Sequence, residues 1–272
     1  MRLLSYNIHK GIGGRDRRYR LDRIIQVIEQ ENPDLICLQE VNHLAARTRH
    51  DDQPMHFIEA FRPIAHHYQL NVRFKKGGGY GNLVLSRWPF ETRNQLSLRL
   101  KRRKPRGAQM LVVSTPEGPF HLVHVHLGLS ERERRWQVDH LLGHDLFREA
   151  RHLPTLIVGD YNDWRNTLAK GTLTREGFRQ LTSPRSRFRS FPAYLPMTAI
   201  DKAFVNDGLV IRQARIARSR LARDASDHLP LVIDFHLNPP TPPPSSLQRR
   251  GDVGPRRSFS LGSREAGPPF DA

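Results

Sequence analysis

The spacing of apolar and polar residues along 1–237 predicts many strands and few helices. "RLLSYNI" places Leu4, Tyr6 and Ile8 on one face, the period of a strand. Leu21, Ile24, Ile25 and Ile28 recur at helical spacing, and Pro33 ends that helix. "DLICLQEV" and residues 82–87 ("NLVLSR") are apolar runs of strand length. "QMLVVSTPEGPFHLVHVHL" reads as two strands around a Pro-Glu-Gly-Pro turn. Ser130 followed by Glu133 is a capping box that opens a helix with Trp136, Val138, Leu141 and Leu142. "TLIVGD", "TAIDKAFVN", "LVIRQARI" and "LPLVIDFHL" follow as strands. Hairpins mix with helical crossovers and no repeat is present. The pattern predicts an α/β chain of two packed sheets flanked by helices, not a simple doubly wound sheet.

The pattern stops near residue 238. From there the chain is rich in Pro, Ser, Gly and Arg and has no apolar period, so residues 238–272 are expected to be a disordered tail. The 272 residues are 38% hydrophobic and 26% charged, enough for a sizeable core in residues 1–237. No apolar run approaches the length of a membrane span. "MRLLSYNIHKG" lacks the long apolar stretch of a signal peptide, and the single cysteine, Cys37, excludes an internal disulfide and a cysteine metal cluster. A cytoplasmic monomer is expected. The net charge of +17 points to phosphate-bearing partners, with the densest basic stretches at 99–106 ("RLKRRKPR") and 212–223 ("RQARIARSRLAR"). The alternative is an Arg-rich composition whose charge is merely solvated.

Six strand ends carry polar side chains where apolar ones would be expected. Asn7 follows "LLSY", Glu40 ends "LICLQ", His126 ends "LVHV", and Asp160 and Asn162 follow "LIV". Asp201 follows "MTAI", and Asp227 and His228 precede "LPLVIDF". One such place is explained by an Asx turn. Six are not, because buried carboxylates are paired or hold metals. Asp, Glu and Asn are hard oxygen ligands suited to Mg²⁺ or Mn²⁺, and His moves protons near neutral pH. With a basic surface, that set points to hydrolysis of a phosphate ester.

The ordered motifs "SYNIHKG", "DLICLQEV", "YGNLVLSRWP", "VHVHLGLSERERRWQ", "LIVGDYND", "AIDKAFV" and "SDHLPLVIDF" resemble the endonuclease/exonuclease/phosphatase superfamily across residues 1–237. The resemblance implies a four-layer α/β/β/α sandwich with its site at one end of the sheets. It implies that Glu40 is the main metal ligand, helped by Asn7 and Asp227. Asp160 would position or deprotonate the attacking water, and Asn162 would hold that water or the phosphate. His228 and His126 would contact the phosphate from two sides, and Asp201 would orient one of the histidines. Whether Asp160 or His228 is the base stays open.

Tyr80 and Asn82, on the Gly-rich "KKGGGYGN", and Arg106, in "KPRGAQ", are candidate substrate contacts; a flexible turn and a solvated basic loop are the plainer readings. His9 and Lys10 are placed at the pocket lining, Asp163 in a turn, and Arg135 and Gln137 on the surface or behind the site. His124 is taken to face away from His126, as a core or interface histidine. His43, His66 and His67 are read as surface residues.

The repair-nuclease branch usually has "WN" at the first motif and a Lys close after "QE"; "SYNIHKG" and "QEVNHL" depart from both. The expected substrate is a phosphodiester, in nucleic acid by the charge. Phospholipid headgroups at an anionic membrane surface are the alternative, and an inactive binding protein the remote one. An aromatic-tipped insertion near the site would favour lipid. An open basic groove interleaved with aromatics would favour nucleic acid.

Overall fold

The computed structural model describes residues 1–75 and 77–238. The tail expected to be disordered lies outside them from residue 239 onwards. Strands and helices alternate in the order β1 (Arg2–Asn7), α1 (Leu21–Glu31), β2 (Leu35–His43), α2 (Gln53–Phe61), β3 (Ala65–Arg73), β4 (Gly79–Ser86), β5 (Phe90–Ser97), β6 (Gly107–Thr115) and β7 (Gly118–His126). Then come α3 (Glu131–Gly143), α4 (Asp145–Glu149), β8 (Thr155–Asp160), α5 (Thr172–Arg175), β9 (Arg179–Gln180), β10 (Asp201–Val205), β11 (Leu209–Ile216), α6 (Arg220–Ala225) and β12 (Leu231–Leu237). They build two six-stranded mixed sheets, ordered β11-β12-β1-β2-β4-β3 and β5-β6-β7-β8-β10-β9.

Two apolar clusters follow from strand alternation. One joins Leu4, Tyr6 and Leu38 of the first sheet to Leu111, Leu122 and Val158 of the second, and includes Ile24 and Ile28 of α1. The other packs Val123, Val125 and Ile157 from the second sheet's opposite face against Val138, Leu141 and Leu142 of α3. This is the layered α/β sandwich expected from the sequence. Ser130 caps α3 as expected, its hydroxyl accepting from the Glu133 amide.

Alternation also corrects the placement of His124. Residues two apart on a strand share a face, so His124 and His126 point the same way. His124 lies deep between the sheets, where its ring meets Gln39 of β2 and Gln109 of β6. It is a core histidine, as expected, but not because it opposes His126. His67 is likewise not a plain surface residue: its ring Nε2 is buried without a hydrogen-bond partner among the described residues. β3 and β5 carry too many polar residues to stand out in the apolar pattern.

No helix among the described residues is long and apolar enough to cross a membrane.

Candidate active site

Strand register assembles the site. β7 and β8 run parallel with His126 opposite Asp160, and β10 runs antiparallel to β8 with Asp201 opposite Asp160. Three candidates from distant parts of the chain therefore lie in one row across the second sheet. In the first sheet, Asn7 pairs in register with Gln39, so Glu40 follows beside it. Asn7 Nδ2 donates to Asp160 Oδ2 at 3.0 Å and joins the two sheets. Ser226 Oγ donates to the Asn7 carbonyl, which fixes Asp227 and His228 next to it.

Local backbone supports this placement. Gly159 has φ +148, and a Cβ there would lie 1.9 Å from the Val125 carbonyl oxygen, so only glycine lets β8 reach β7 before Asp160. Glu40 sits where the β2–β4 register shifts, with φ +59, and Asn162 has φ +50. Left-handed backbone at non-glycine residues clusters where side chains must be aimed.

Asp160 is the hub. Oδ1 accepts from the Asn162 amide at 2.9 Å, while Oδ2 faces Asn7 Nδ2, His126 Nε2 at 3.4 Å and His228 Nε2 at 3.9 Å. Burial, with Asp201 adding to it, raises its pKa to about 6 against the pull of His228, Asn162 and Asn7. Burial would push His228 down. The charge and hydrogen bond of Asp201, at 2.9 Å from Nδ1, and the charges of Asp160 and Asp227 raise it instead to about 10. His126 goes the other way: burial, with Arg106 and His228 nearby, holds it well below the ordinary histidine range. One flanking histidine is thus a cation and the other neutral. Asn162 commits its amide nitrogen to the Leu127 carbonyl at 3.0 Å.

On the far side of Asn7, the Glu40 carboxylate is engaged by the Lys10 ammonium. Burial opposes its charge, but Lys10, Lys104 and Arg106 hold it below the usual carboxylate range. Asp227 is partly exposed, 3.8 Å from His9 Nδ1. The ring of Tyr80 lies under Lys10 Nζ at 4.9 Å and Lys104 Nζ at 5.2 Å. The Tyr80 hydroxyl, Asn82 Oδ1 and Arg106 Nε are buried without a partner among the described residues. Such atoms mark where a polar ligand can complete the bonding.

Several residues carry more than the sequence suggested. Ser190 donates to Asp201 Oδ2 behind His228, and the Phe191 ring packs on His228 at 4.9 Å. Asp163 is a turn residue, accepting from the Thr167 and Leu168 amides, and is also fully buried beside Arg134 and Lys202. Gln137 is buried behind the site, bonding the Gly128 amide and the Leu98 carbonyl, whereas Arg135 is exposed. Ser190 and Phe191 lie in a stretch with no period, so nothing local singled them out.

The model of the Endonuclease/Exonuclease/phosphatase family matches residues 4–228. YbhP of Escherichia coli (strain K12) is 28% identical over 252 residues, covering 87% of this chain and 96% of that protein. The endonuclease/exonuclease/phosphatase from Beutenbergia cavernae shares the fold with a TM-score of 0.72 at 20% identity, over 87% of this chain and 71% of that one. A mannosyl-6-phosphatase of Bacteroides thetaiotaomicron does so with a TM-score of 0.64 at 15% identity, over 86% and 99%. With the motifs in family order and the site at one end of two packed sheets, this chain belongs to the endonuclease/exonuclease/phosphatase family.

Proposed function

We propose that the chain is a divalent-metal-dependent phosphodiesterase. The observation that carries this is the Asp160 carboxylate set between His126, His228 and Asn7 across the two sheets. His228 commits Nδ1 to Asp201, and its Nε2, 3.9 Å from Asp160, is free to donate to a phosphate oxygen. As a cation it neutralises charge that develops on the phosphoryl oxygens and protonates the departing oxygen. Asp160, buried and raised to about 6, takes the proton from the attacking water. Neutral His126 donates a hydrogen bond from the other side. Tyr80, Asn82 and Arg106 supply unpartnered polar atoms for the rest of the substrate.

Glu40, Asn7 and Asp227 are the candidate metal ligands. Among the described residues no group of three His, Cys, Asp or Glu side chains is placed to hold a metal ion, so the proposed set rests on two carboxylates and the Asn7 amide oxygen. An open oxygen set suits Mg²⁺ or Mn²⁺, which take few carboxylates and complete their shell with water and substrate phosphate. The Lys10 ammonium against Glu40 supports this reading, since the carboxylate already faces a positive charge there. When bound, the ion would polarise a phosphoryl oxygen and offset negative charge.

The test is hydrolysis of bis(p-nitrophenyl) phosphate and p-nitrophenyl phosphate with Mg²⁺, Mn²⁺ or EDTA, with His228→Ala as control. Diester cleavage that needs metal and is lost in the variant supports the reading. Preference for the monoester replaces it with a phosphatase. The net charge suits a polyanionic diester, nucleic acid or phospholipid headgroup alike, and a cytoplasmic site of action is part of this reading.

A further inference from the structure

Exposed apolar side chains gather at the mouth of the site. Residues 191–198 form a loop closed by the Phe191–Thr198 bridge. Its base is fixed: Ala193 is buried and its amide donates to the Asp227 carbonyl at 2.8 Å. Phe191 packs on His228. The tip points the other way, with Tyr194 52%, Leu195 59% and Met197 60% exposed. Trp164, four residues beyond Asp160 and 42% exposed, meets Phe191 edge-on at 5.5 Å between ring centres. Leu129, three residues beyond His126, is also largely exposed. The collar is basic, with Arg165, Arg185, Arg187 and Arg189 all exposed. Arg185 bonds the Trp164 carbonyl, which ties the collar to the rim.

An exposed apolar cluster on a pinned backbone is costly in water and marks a contact surface. Three features choose the partner. Leu195 and Met197 are aliphatic, suited to acyl chains and unable to stack on bases. Trp164 and Tyr194 are the side chains that settle at a membrane–water interface. Surrounding arginines match anionic headgroups. We propose that this rim docks on an anionic phospholipid bilayer, Tyr194, Leu195, Met197 and Trp164 entering the interface and presenting a headgroup phosphate to His228. The substrate class that follows, a phospholipid headgroup diester, rests on the diesterase reading. The docking itself does not.

The experiment is cosedimentation of the full chain with vesicles of phosphatidylcholine, with and without phosphatidylglycerol, for the wild type and Leu195→Glu/Met197→Glu. Vesicles with brominated acyl chains then report tryptophan depth in the wild type and in Trp164→Phe. The expected result is binding that needs phosphatidylglycerol and weakens roughly tenfold or more in the double variant. Bromolipid quenching is expected in the wild type and absent in Trp164→Phe. Trp164→Phe, a mild change, keeps the test valid if the double variant misfolds. Equal vesicle binding by wild type and double variant overturns the proposal. So does unchanged quenching in Trp164→Phe. Loss in the double variant of binding to a single-stranded oligonucleotide, with no vesicle binding by the wild type, overturns it in favour of nucleic acid. Vesicle binding is measured without turnover, so failure to hydrolyse the soluble diester counts against the diesterase alone.

Discussion

Nδ1 of His228 lies 2.9 Å from Oδ2 of Asp201, and both side chains are buried. Without that carboxylate, burial would hold the ring neutral; with it and its acidic neighbours, the ring is a cation up to about pH 10. Asp201→Asn keeps the shape and removes the charge. The His228 ring is then expected to titrate far below about 10 by NMR, and kcat at neutral pH to fall roughly 100- to 10,000-fold, the span of a lost acid–base catalyst. An unchanged His228 titration would show that Asp201 does not hold its proton.

Lys10 and Glu40 form a partly buried ion pair, with side chains 8% and 13% exposed. Lys10→Met leaves the carboxylate buried without its cation, which costs about 3–5 kcal/mol when a buried pair is broken. The same change removes the charge that competes for Glu40. The variant is therefore expected to melt lower in EDTA, to bind Mg²⁺ more tightly by calorimetry, and to gain more in Tm from Mg²⁺ than the wild type. Metal binding weaker than wild type would mean that Lys10 helps to hold the ion's site in shape.

How far the site was legible in the sequence depends on distance along the chain. Glu40, Asp160 and His228 stood out because a polar residue at the end of an apolar run is a local contrast. The row His126–Asp160–Asp201 was not legible from spacing, because it is made by register between strands dozens of residues apart; only the motif resemblance brought its members together. β3 and β5 escaped notice because "AHHYQLNVR" and "FETRNQLS" lack a clear apolar face. Asp163 read as a turn residue because a turn is all that its neighbours show. Its burial against Arg134 and Lys202 is a tertiary fact.

That burial makes Asp163 a stability residue. Arg134 Nη2 at 3.5 Å and Lys202 Nζ at 3.9 Å share one carboxylate, and Lys202 is wholly inaccessible to solvent. Burial lowers the Lys202 pKa to about 8, with Asp163 the main group supporting its charge. Asp163→Asn strands two buried cations and is expected to cost about 3–5 kcal/mol in urea unfolding. Adding Lys202→Met should recover part of that loss, since one uncompensated charge is removed with its partner. A double variant that costs the sum of the two single variants would deny the coupling.

His121 gives the clearest pH signature away from the site. Its ring is buried beside Phe147, 5.4 Å between centres, and Nδ1 has no partner among the described residues. Burial holds its pKa at about 4, against 6.5 when exposed. Above pH 6.5 the ring is neutral in both folded and unfolded chains and contributes no slope. Between pH 6.5 and about 4 the unfolded chain takes up a proton that the folded one refuses, so stability falls as pH falls. One such proton corresponds to about 1.4 kcal/mol per pH unit. His121→Phe should remove about that much slope between pH 6 and 4.5 in urea titrations, and leave the slope above pH 7 unchanged. His124, held at about 3 by burial between Gln39 and Gln109, and His126, also held neutral by burial, keep acid sensitivity in the variant. A variant with the full wild-type slope would show that the His121 ring is reached by water and titrates as if exposed.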